Sequence, residues 1–131
     1  KMLDLARKQF MLDCNIEKYS EQKKVLIGRK QKNAGARLYT NKTLEFKAII
    51  CLGQAFIMAG DKMYDWVVNE YLNDETPEWM CKFTTLRKLE QKLNSCGLEI
   101  ADTHIYFLPD KDFENVEPMC EIKILTQEEI L

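Results

Sequence analysis

The chain has 131 residues, 46% hydrophobic and 31% charged, with a formal net charge of −2. That length holds one compact domain with an appendage, and that composition excludes wholesale disorder. The near-neutral total conceals a division. Lys1–Lys47 carries twelve Lys/Arg against five Asp/Glu, a net +7, and Ala48–Leu131 is left at −9. Clustered positive charge attracts phosphates and anionic surfaces, so the asymmetry bears on partners before it bears on fold.

Met2–Tyr19 is expected to be a helix, because Leu5, Leu12, Ile16 and Tyr19 recur at spacings that share one face. A short apolar knot, Val25-Leu26-Ile27, follows. Gly28–Arg37 then has two glycines, four basic residues and no acid, the composition of an exposed, mobile basic loop. A second helix is expected from Thr40 or Asn41, with Glu45 in its first turn and an apolar run to Ala59 that Gly60 stops. Ala48-Ile49-Ile50-Cys51-Leu52 are consecutive, which would put this helix at the centre of a core. Asp61 can cap a third helix reaching about Leu72, with Met63, Trp66 and Val67 inward.

Thr76-Pro77-Glu78 carries the marks of a restart: a capping hydroxyl, a proline at the first helical position and an acid beside the positive end of the dipole. The fourth helix, Glu78–Asn94, has the cleanest periodicity, through Trp79, Phe83, Leu86, Leu89 and Leu93, and Gly97 ends it. At these spacings Phe56, Trp66, Trp79 and Phe83 read as core. Beyond Gly97 the period falls to two. Thr103–Leu108 and Met119–Leu125 have the pattern of two strands joined by Pro109–Pro118, a hairpin with an acidic tip.

The expected fold class is therefore mainly α with a C-terminal β-hairpin. Residues 1–38 would form an N-terminal helix and basic loop, and residues 39–131 a compact helical domain ending in the hairpin. Helix–helix–helix–hairpin is the order of a winged helix, in which the third helix enters the major groove. An all-α, cyclin-like arrangement is the alternative if the hairpin does not form.

Catalysis is poorly provided for. His104 is the only histidine, two residues after Asp102, with no identifiable nucleophile to complete a constellation. No zinc-ligand spacing, EF-hand or Walker-type loop occurs, so no metal and no cofactor is expected. Five cysteines (14, 51, 81, 96 and 120) are scattered, odd in number and without a CxxC, which suits free thiols in a reducing compartment, the cytosol or nucleus. No apolar run reaches the roughly 18 residues of a membrane span. The start at Lys1 is that expected of a fragment.

One constellation remains. Lys23, Lys24, Arg29, Lys30, Lys32 and Arg37 can follow a phosphate backbone, with Lys82, Arg87, Lys88 and Lys92 of the fourth helix as secondary contacts. The sequence thus points to a non-catalytic nucleic-acid-binding module, for DNA or RNA, within a larger nuclear regulatory protein. The alternative is a protein–protein interaction domain in a multisubunit assembly, or one that self-associates through its N-terminal helix. Its partner-binding residues would be Leu5, Leu12, Ile16 and Tyr19, with Phe113 of the acidic loop as an aromatic anchor.

Overall fold

Leu52 and Gly53 interrupt the apolar run between Ala48 and Ala59, and there the chain doubles back. In the computed structural model, which describes residues 2–37 and 44–108, both have positive φ, 47° and 70°. Two consecutive left-handed residues form the tight turn whose twist matches an antiparallel pair. The flanking segments are strands β2 (Phe46–Cys51) and β3 (Gln54–Ala59), paired antiparallel from Phe46 opposite Ala59 to Cys51 opposite Gln54. The expected second helix is therefore a hairpin. A continuous apolar run does not distinguish a buried helix from a buried strand, and every residue of β3 is buried.

The apolar knot is strand β1 (Val25–Arg29), parallel to β3 with Val25 opposite Ala55 and Arg29 opposite Ala59. The sheet order is β1-β3-β2. Helix α1 (Met2–Cys14) precedes the sheet, and α2 (Tyr64–Tyr71) and α3 (Phe83–Ser95) follow it, with a single 3-10 turn at Pro77–Trp79 between them. The fold is mixed α+β, with the strands in mid-chain. That overturns the winged-helix order and the all-α, cyclin-like alternative alike. Of the expected C-terminal hairpin, the first strand is not formed: Thr103–Leu108 runs exposed and without strand pairing among the described residues. Pro109–Pro118 and Met119–Leu125 lie outside the described residues.

The alternation of side chains divides the core in two. Val25, Ala55, Ile57 and Ala59 meet Met63, Val67, Tyr71, Leu89 and Leu93 on one face of the sheet. Leu26, Phe56 and Met58 meet Phe10 and Cys14 of α1 on the other, with Ile16 and Tyr19 alongside. The helices expected over 61–72 and 78–94 are found, as α2 and as the 3-10 turn plus α3. Their aromatic stripe is corrected in part. Phe56 is fully buried, whereas Trp79 is 54% and Phe83 82% exposed: the 3-10 turn buries Pro77 instead, and α3 turns only Leu89 and Leu93 fully inward.

α1 stops at Cys14, since Asn15 takes a positive φ of 52°, so Ile16 and Tyr19 leave the helix on which they were expected. The end of α1 lies directly over β1. A Cβ on Gly28 would sit 2.1 Å from the carbonyl oxygen of Cys14 and 2.4 Å from that of Asn15. Only glycine admits this approach. Gly53, by contrast, has nothing within 4 Å of a built Cβ and is required for its φ alone.

Gly28→Ala is accordingly expected to cost about 3 kcal/mol, since backbone must move to admit the methyl group. Gly53→Ala should cost about 1 kcal/mol, the ordinary penalty of one left-handed residue. Urea denaturation of the two variants measures both; equal losses would show that the layer contact at Gly28 is not tight.

Candidate functional site

The cations of the two halves fall on different layers. Residues 31–37 are tied to α1: Gln9 Nε2 donates to Gly35 O at 2.8 Å, and Asn33 Nδ2 donates to Leu12 O at 2.9 Å. Lys82, Arg87, Lys88 and Lys92 belong to α3 and its N-cap, and α3 packs on the opposite face of the sheet. The sheet thus stands between Arg37 and the α3 set, while Arg29 lies on the α2 side against Tyr64.

Several of the cations are engaged within the chain. Arg37 grips Asp13, whose side chain is fully buried, with Nη2 at 2.5 Å, Nε at 2.8 Å and its backbone N–H at 2.7 Å. Burial alone would raise the Asp13 carboxyl. The Arg37 hydrogen bonds, with one from Gln9, outweigh it and hold the carboxyl below its ordinary 3.8. Arg29 stacks on the Tyr64 ring, 3.7 Å from its centroid, and reaches Asp61 at 3.3 Å. Lys30 pairs with Glu45, and Lys88 with Glu70. Lys82 lies 4.0 Å over the Trp79 ring. Lys23, Lys24, Lys32, Arg87 and Lys92 have no ion pair among the described residues.

The apolar stripe proposed for a partner is split. Leu5 and Leu12 are exposed on α1, 65% and 41%, while Ile16 and Tyr19 pack against the Phe56 cluster. Tyr19 also stacks on Phe56 and donates its hydroxyl to Gln54 Oε1 at 3.1 Å. Phe113 lies outside the described residues. His104 Nε2 is 2.9 Å from Asp102 Oδ2, and both side chains are more than half exposed. No group of three metal-ligating side chains occurs among the described residues. No helix there is long and apolar enough to cross a membrane. Cys14, Cys51, Cys81 and Cys96 are free thiols, and burial pushes that of Cys14 up to about 12.

The feature that sequence reasoning missed is a groove of about 410 Å³ along β1, walled by Asn15–Lys18, Lys23, Gln31 and Leu72. Among the described residues β1 is an edge strand, paired only with β3. Ala55 N–H donates to Lys24 O and Lys30 N–H to Ala59 O, which commits the even-numbered residues of β1 to β3. The N–H and C=O of Val25 and Ile27 therefore face the groove. Asn15 Nδ2 closes its far end by donating to Arg29 O at 3.0 Å. Among the charged side chains of the walls and β1, Lys18, Lys23 and Arg29 outnumber Glu17. The signal was present in Val-Leu-Ile, three β-formers in a row. It was obscured by brevity.

Compared with family models, curated proteins and solved structures, the chain has no significant match in any of the three.

Because the folded Asp13 carboxyl titrates below its unfolded value, the Asp13–Arg37 pair stabilises the fold above about pH 3.8. That contribution is lost as pH falls through the lower, folded value. Arg37 is half exposed, so Arg37→Ala is expected to cost only about 2 kcal/mol at pH 7. Denaturation across pH 2–7 (about the range in which carboxylates titrate) checks it: the gap from wild type should close at the acid end.

Proposed function

We propose that the chain is a non-catalytic protein-interaction module, intracellular and part of a larger assembly, that takes an extended, acidic segment of a partner along the free edge of β1. One observation carries this reading. Val25 is 1% exposed, and its groove-facing N–H and C=O have no partner among the described residues. Buried backbone polar groups are almost always hydrogen-bonded, and those of an edge strand are satisfied by one more strand. Arg29 is already paired with Asp61, but Lys18 and Lys23 outnumber Glu17 and favour acid on the incoming segment.

A second reading, phosphate binding, is supported by Lys23, Lys24 and Lys32, which are exposed and lack carboxylate partners among the described residues. It would give the chain a nucleic-acid ligand, held chiefly by charge and sensitive to salt.

Fluorescence anisotropy with four probes separates the two: an alternating Glu-Val heptapeptide, its Lys-Val counterpart, duplex DNA and single-stranded RNA. The Glu-Val peptide is expected to bind in the micromolar range, and the Lys-Val peptide not to bind. Ile27→Pro deletes an N–H that faces the groove and leaves the bonds to β3 intact, so it should abolish binding while the circular dichroism is retained. Salt-sensitive DNA or RNA binding without peptide binding would transfer support to the phosphate reading.

A further inference from the structure

The chain itself carries a segment suited to that edge. After α3, Gly97 turns the backbone with a φ of 74°, and Leu98 and Ile100 still pack against the core. From Ala101 onward every described residue is exposed. Ile105 is 86%, Tyr106 71%, Phe107 90% and Leu108 46% exposed, four consecutive large apolar side chains directed to solvent. Soluble monomers seldom leave such a run uncovered.

The run has strand chemistry. Thr103, Ile105 and Phe107 alternate with His104, Tyr106 and Leu108, and β-branched and aromatic residues dominate. Its approach is acidic: Glu99 and Asp102 precede it, and Glu99–Leu108 contains no Lys or Arg. The groove along β1 has the opposite bias, through Lys18 and Lys23 against Glu17 alone. Among the described residues the two stay apart, the tail rooted on the core and the edge of β1 unpaired.

We infer that Thr103–Leu108 of a second copy is the strand that adds to β1, and that two copies exchange these segments reciprocally to form a dimer. The inference rests on the edge-binding reading above and supplies its partner. A two-fold exchange closes the assembly, because each copy gives one tail and receives one, leaving no open end to propagate. Ile105 and Phe107 would continue one face of the sheet, and Tyr106 the other.

Sedimentation equilibrium of the full chain tests it. The wild type is expected to be a dimer in the micromolar range. Ile105→Lys/Phe107→Lys, which alters only exposed positions, should be monomeric with unchanged circular dichroism, and Ile27→Pro should be monomeric as well. The tail variant should also bind the Glu-Val peptide more tightly than the wild type, because its edge is no longer occupied. A monomeric wild type, or a tail variant as dimeric as the wild type, overturns the exchange. If either is seen while the peptide still binds and Ile27→Pro still abolishes that binding, the edge reading survives; if Ile27→Pro leaves peptide binding by the tail variant unchanged, that reading falls too.

Discussion

The missing side chain at residue 28 sets the distance between the first two layers. α1 ends over β1 with the carbonyls of Cys14 and Asn15 against the Gly28 backbone, closer than any Cβ would allow. From that contact Phe10 reaches Phe56, with ring centroids 5.5 Å apart, and Cys14 is sealed beneath the helix. The same approach directs the chain after α1 along the outer side of β1, where Asn15–Lys18 become one wall of the groove. The packing contact and the candidate binding surface therefore share a cause. What lets the helix settle also leaves the edge of the strand bordered but unpaired.

Charge, conspicuous in the sequence, turns out to be largely local in its effects. Arg37 neutralises a buried carboxylate, and that pair bears on stability because Asp13 has no access to water. Arg29 and Asp61 join the cationic first part of the chain to the acidic remainder, but Asp61 is 97% exposed, so this bridge contributes little. Counting cations along the chain could not reveal which were already committed to neighbours. It also could not reveal that the sheet would stand between Arg37 and the cations of α3.

Helical periodicity was legible where one face of an element is buried and the other is wet. α2 and α3 meet that condition, and α3 keeps its Leu89–Leu93 spacing. It failed in the middle of the chain for an equally physical reason. β3 is covered on both faces and so shows no alternation, and Gly53-Gln54, a two-residue break inside an apolar run, was the only mark of the reversal. Val-Leu-Ile marked the strand that floors the groove, but not the groove itself, because its floor is main chain and main-chain polarity leaves no trace in the identity of side chains. Lys23 and Arg29 were picked out for their charge, whereas their position at the groove follows from strand pairing.

β3 has a helical layer above it, another below, and a strand on either flank. Its amides have no route to solvent through a local fluctuation, since peeling away any single neighbour still leaves three covers in place. Hydrogen exchange along Gln54–Ala59 should therefore report the free energy of opening the whole molecule. The amides of residues 101–108 should exchange freely in a solitary chain, and any slowing there would register contact with another.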